Sequence, residues 1–232
     1  MSIDANRPLR VLDKALSGGL GVGNLGVICA RHGTGKVAVL MSIAIDKAMD
    51  QKPVLHVTVG DSVADVRAYR DEVLEEIEKS LGIEDHLTTM TNVERHSRIH
   101  TYRGGTFSIE RLRQTLAFAK EHAEFSPELI EIAHWPEDFS EVSREDLEGL
   151  KTIATDFGCE VWLTAHTSRE TEVDASGLPA VLAPFAELLS VVISMEPEAR
   201  RVLLKFVKVH DGAPPAGINL DFDPRRMLLR WR

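Results

Sequence analysis

Arg31-His32-Gly33-Thr34-Gly35-Lys36 is the stretch of this chain whose residue types and spacing point most directly to chemistry. Two glycines, two residues apart, let backbone N–H groups converge on one anion, and the lysine that follows adds a point charge. Something must hold such a loop at both ends. Leu25 to Cys29, LGVIC, is a short apolar run with the pattern of a buried strand, and Val37 to Met49 is an apolar segment of helix formers. Strand, glycine turn, lysine and helix in that order predict a phosphate cradle to which the helix N-terminus adds its dipole. A plain strand-to-helix turn without ligand is the other reading of the same residues.

The match to the phosphate-loop template G-x-x-x-x-G-K-Ser/Thr is incomplete. Ala30 stands at the first position, and Val37 at the last. A hydroxyl at that last position would reach Mg²⁺, and an isopropyl group cannot coordinate a metal. The predicted nucleotide-binding set is therefore Arg31, His32, Gly33, Thr34, Gly35, Lys36 and Val37, holding ATP or ADP, with no metal ligand assigned and the part played by Mg²⁺ left open.

With 232 residues, the chain has the length for one large domain with a substantial core. A 44% hydrophobic and 27% charged composition is that of a soluble globular protein. No apolar run reaches the roughly 18 residues that span a membrane, and MSIDANRPLR lacks the apolar core of a signal peptide, which predicts a cytoplasmic protein. Cys29 and Cys159 lie beside strand-like runs without metal-ligand spacing and are expected as buried free thiols. The formal net charge of −9 argues against general nucleic-acid binding.

Ahead of the loop, Gly18, Gly19, Gly21 and Gly23 mark a tight turn into the first strand. Leu12-Asp13, Leu16, Gly18-Gly19-Leu20, Gly23 and Leu25, followed by the phosphate loop, resemble the opening of the RecA-like ATPases, particularly their KaiC and DnaB-helicase branch. The resemblance runs from Leu12 to Trp231. It implies a single α/β RecA-like domain over residues 1–232, with a mainly parallel central sheet flanked by helices and antiparallel hairpins in 188–232. It also implies a homo-oligomer, such as a hexamer, with nucleotide between subunits.

Further strands are expected at Pro53–Val59, Glu128–Ala133, Cys159–Ala165, Leu188–Met195, Val202–Val209, Ile218–Phe222 and Met227–Trp231. Helices are expected at Ser62–Leu81, Ser108–His122 and Glu141–Phe157, the first capped by Asp61 or Ser62. From Ile83 to Gly105 the pattern loosens, and Arg95, His96, Arg98, His100 and Arg103 make a basic segment expected at a solvated edge or subunit surface, with binding of a partner's phosphate groups or of nucleic acid as the alternative. Glu170 to Pro179 reads as a mobile loop.

The resemblance supplies roles that this sequence fills unevenly. A glutamate that polarises the attacking water would end the second strand; Gly60 is there, with Asp61 next, a substitute catalytic carboxylate or a helix cap. An aspartate for the magnesium shell would end the third; Ala133 is there, with Glu137 and Asp138 beyond Pro136. Glu131, inside that strand, is expected to make an edge or interface contact. His166 stands where relatives carry a phosphate sensor. Lys208 and His210 occupy the places of a lysine and an arginine that act on a neighbouring subunit's nucleotide. The leading expectation is a pseudo-ATPase that binds nucleotide, hydrolyses it weakly or not at all, and regulates self-assembly or partner binding. An active ATPase with displaced carboxylates and a ligand-free scaffold are the alternatives.

Overall fold

A computed structural model of the protein describes residues 7–231 apart from 17, 137, 169, 200 and 213–219. All nine described strands join one sheet. They are β1 (Leu25–Ala30), β2 (Val54–Val59), β3 (Ser97–Tyr102), β4 (Leu129–Ala133), β5 (Glu160–His166), β6 (Val191–Pro197), β7 (Val202–Val209), β8 (Leu220–Asp223) and β9 (Leu228–Trp231). Their order across the sheet is β3-β2-β4-β5-β1-β6-β7-β8-β9. The ladders from β3 to β6 are parallel and those from β6 to β9 antiparallel. The architecture is thus α/β, a mostly parallel sheet with antiparallel C-terminal strands.

Among the described residues six α-helices cover it: α1 (Pro8–Ala15), α2 (Lys36–Met49), α3 (Val63–Leu81), α4 (His86–His96), α5 (Ile109–Ala123) and α6 (Arg144–Phe157). Strand alternation divides the core between the two faces. Ile28 and Trp162 point to the face covered by α1 to α4, whereas Leu25, Val27, Cys29 and Leu163 point to the face covered by α5, α6 and the segment from Leu178 to Leu189. Strands buried on both faces need continuous apolar runs, which is why LGVIC and VWLTA are legible as strands. Gly26 is the exception inside β1, and its strand neighbour explains it. A Cβ there would lie 2.5 Å from the ring of Trp162, its register partner on β5.

Helix ends follow local chemistry. Ser62 and Ser143 form capping boxes with Asp65 and Asp146, while Asp85 and Ser108 cap α4 and α5. Gly82 and Gly158 close α3 and α6 in the left-handed conformation. Three elements stand where the sequence pattern assigns none: α1 begins at Pro8 in the N-terminal segment ahead of the glycine-rich lead-in, and α4 and β3 fill 83–105, where the pattern loosens. The α6 helix begins at Arg144, after a separate short turn over Phe139–Glu141. Among the described residues, no helix is long and apolar enough to cross a membrane.

Candidate functional site

The carboxyl end of β1 opens into the glycine loop, and the loop's shape follows from its two glycines. Gly33 has φ of 70° and Gly35 of 96°, left-handed values that suit glycine and little else. Gly35 is also tightly packed: a Cβ there would stand 2.3 Å from Phe222 of β8. The loop turns at Arg31, whose carbonyl accepts the Thr34 N–H at 3.4 Å, and Thr34 is buried beneath it. Gly35 then begins α2, and no side chain caps that helix, in contrast to the Ser and Asp caps of α3 to α6. The first-turn N–H groups of a helix have no partners within it, so this end can receive an anion. Lys36 is half-buried at the first helical position, and burial pushes its ammonium below its ordinary range.

The neighbouring strand end completes one wall. Ala30 and His166 are register partners, and the Thr167 N–H donates to the Ala30 carbonyl at 3.0 Å. The register brings the His166 ring onto His32 of the loop, with centroids 3.9 Å apart and planes inclined by 35°. His166 Nδ1 is buried with no hydrogen-bond partner among the described residues. Burial, then His32 and Lys36, push His166 below its ordinary pKa, and Asp138 acts in the opposite sense. The Asp138 carboxylate accepts from the Ser140 N–H, a bond that holds it below the usual carboxylate range. Glu137 lies outside the described residues.

The facing wall is built by β2 and β4. Gly60 ends β2 with φ of 104°. Asp61 Oδ2 accepts a hydrogen bond from Thr58 Oγ1 at 2.7 Å, and His134 Nε2 lies 3.3 Å from the same oxygen. The N-cap of α3 is Ser62, not Asp61, because the Ser62 hydroxyl accepts the Asp65 N–H. Asp61 is thereby left in the cleft, which has a volume of about 780 Å³ and is lined by Lys36, Val37, Gly60, Asp61, His134 and His166 among others. A second cleft of about 910 Å³, which His32 and His166 also line, is bounded by Arg31, Thr34, Arg201 and Arg225 among others.

Several sequence expectations fall elsewhere. Glu131 is no edge contact: β4 is an interior strand, and Glu131 is buried against His56 Nδ1. Lys208 donates to the Ala186 and Leu189 carbonyls of its own chain, at the end of the sheet opposite the loop. His210 Nε2 lies 3.1 Å from the Gly19 carbonyl at that same end. Neither is brought to the glycine loop within one chain. The hairpin between β7 and β8 falls largely outside the described residues. The stretch 170–179 is internally tied, with Asp174 accepting from Ser176 and Leu178 and a bridge between Val173 and Pro179. The basic stretch does lie at the sheet edge, on α4 and β3.

Sequence reasoning passed over His56 and gave His134 no role, although polar residues inside or capping apolar strands such as VLHVTV and LIEIA carry a signal. Val37 and Ala133, the positions at which the resemblance expects magnesium to be held, offer such an ion no side-chain oxygen. Among the described residues, no group of three His, Cys, Asp or Glu side chains is arranged to hold a metal. No family model matches this chain, and no curated protein matches it.

Proposed function

We propose that this is a RecA-like nucleotide-binding protein, akin to the KaiC and DnaB-helicase branch, in which ATP or ADP occupies the loop from Arg31 to Val37. In this reading hydrolysis is weak or lost, and the nucleotide biases self-assembly or the choice of a protein partner. The observation that carries the proposal is the start of α2. It opens on two left-handed glycines, has no side-chain cap, and bears a lysine whose charge is disfavoured by burial. An ammonium in that position is stabilised by an anion that a ligand brings. A diphosphate held by backbone N–H groups and Lys36 is the class of anion such a loop takes.

Weak turnover follows from the parts that phosphoryl transfer requires. Val37, Gly60, Ala133 and His210 stand where a hydroxyl, two carboxylates and an arginine would serve. An arginine finger alone contributes about 10³ to 10⁵ in rate, or roughly 4–7 kcal/mol. The homo-oligomer, with a hexamer as the model, rests on the resemblance alone. One observation favours a second reading, an active ATPase: Asp61 lies in the same cleft as Lys36, held by Thr58 and next to His134.

Calorimetric titration of ATP and ADP, with and without Mg²⁺, tests both. The proposal expects binding that Lys36→Ala abolishes and that Mg²⁺ improves little. Mg²⁺-dependent phosphate release, lost in Lys36→Ala and Asp61→Asn, would favour the active enzyme. No binding of either nucleotide overturns both and leaves the fold as a scaffold.

A further inference from the structure

The rings of His32 and His166 stack at the glycine loop, and both residues line both of its clefts. One ring belongs to the loop itself and the other to the end of β5. Two imidazoles whose centroids lie 3.9 Å apart resist carrying two charges at once. His166 has a buried Nδ1 without a partner among the described residues. The charged groups around the pair come from several elements. Lys36 and Arg31 belong to the loop, and Asp138 to the turn after β4. Asp61 and His134 face the rings across the smaller cleft. Across the larger one stand Glu198, Arg201, Asp223 and Arg225, with Arg201 paired to Glu198 and Asp221.

We propose that His166, stacked on His32, takes up a proton when a nucleoside triphosphate binds, so that its imidazolium supplies positive charge that a divalent cation would otherwise bring. The inference rests on the nucleotide-binding reading above and adds the regulation of that site. Its basis is a phosphate loop at which Val37 and Ala133 bring no side-chain oxygen, beside two stacked imidazoles that line the same cleft as Lys36. In the free protein the surroundings of His166 favour the neutral ring, with burial first among the causes and then His32 and Lys36. A polyphosphate reverses that balance, because a nearby anion stabilises the charged ring.

The sign of the linkage follows. The complex binds more protons than the free protein between the free pKa, which lies below about 6.5, and the raised pKa of the complex. Affinity therefore rises as pH falls through that window and levels off beneath it. The outermost phosphate adds negative charge in reach of these rings, so the triphosphate gains more than the diphosphate.

The test is calorimetric titration of ATP and ADP in EDTA between about pH 8 and about pH 5.5, in two buffers of different ionisation enthalpy. The expected result is uptake of roughly half to one proton per ATP and less per ADP, with affinity for ATP rising about tenfold over the range. The double variant His32→Gln/His166→Gln loses the uptake and the pH slope. Binding by the native protein without proton uptake overturns the inference and leaves the nucleotide reading standing, as does uptake that survives in the double variant. Absence of binding at every pH overturns both.

Discussion

His56 and Glu131 stand opposite each other in the parallel ladder between β2 and β4, with imidazole Nδ1 and carboxylate Oε1 2.5 Å apart and side chains only 2% and 4% exposed. Their other polar atoms, Nε2 and Oε2, have no partner among the described residues, and both residues line a cavity of about 400 Å³ between α2 and α3. Removing one member of a buried pair strands the other, at a cost of about 3–5 kcal/mol, whereas replacing both by apolar residues of similar size is often neutral. Glu131→Ala is thus expected to lower stability by about 3 kcal/mol, and His56→Leu/Glu131→Met to stay within about 1 kcal/mol of the parent, in urea denaturation. A double variant as unstable as the single would show that the polar pair is needed for the fold.

Gly33 and Gly35 separate two costs that the loop combines. Gly33 sits in a left-handed conformation with open space around it, so Gly33→Ala meets backbone strain of about 1–2 kcal/mol. Gly35→Ala meets that strain and also Phe222 at 2.3 Å, with overpacking of about 1–3 kcal/mol more. Gly35→Ala should therefore be the less stable by roughly that increment, and Phe222→Leu should recover part of the loss in the Gly35→Ala background. Equal melting temperatures for the two glycine variants would contradict the packing argument.

How much of this was open to a reader of the sequence depends on where each residue lies. Val202–Val209 has the same bounds as β7, because alternate side chains face a core and the pattern shows. The opposite case is 83–105: Val93 is the buried residue of α4, and β3 is an edge strand with mostly half-buried side chains, so neither carries an apolar signature. The glycine loop and Lys36 are legible from spacing alone. The stack of His32 on His166 is not, since it depends on the register that pairs Ala30 with His166. His56 and Glu131 are likewise visible as polar intrusions in apolar strands, while their partnership depends on strand order that places β4 between β2 and β5.

The two thiols give a test of core integrity. Burial pushes Cys29 up to about 11 and Cys159 up to about 12, and the Cys29 thiol donates to the Ile193 carbonyl at 3.3 Å. The reactive species is the thiolate, so both groups are expected to be inert toward a disulfide reagent at about pH 8 in the native protein and to react together on unfolding. Prompt reaction of one thiol under native conditions would reveal local opening of the sheet at that strand.

On the proposed nucleotide-binding reading, Lys36 sets binding against stability. Its folded pKa lies below the 10.5 of an unburied lysine, with burial as the cause. Between those two values the unfolded chain binds more protons than the folded one, so stability rises with pH through that window and is flat above it. At neutral pH the charged ammonium therefore weakens the fold, by an amount reduced because the side chain is only half-buried and water screens it. Lys36→Met should melt at the same temperature or slightly higher and lose nucleotide binding. ATP should raise the melting temperature of the parent, corresponding to about 2.7 kcal/mol at a hundredfold excess over Kd, and leave the variant unmoved. A variant that melts several degrees lower would mean that the ammonium holds the free loop together, and that its burial serves the fold before any ligand arrives.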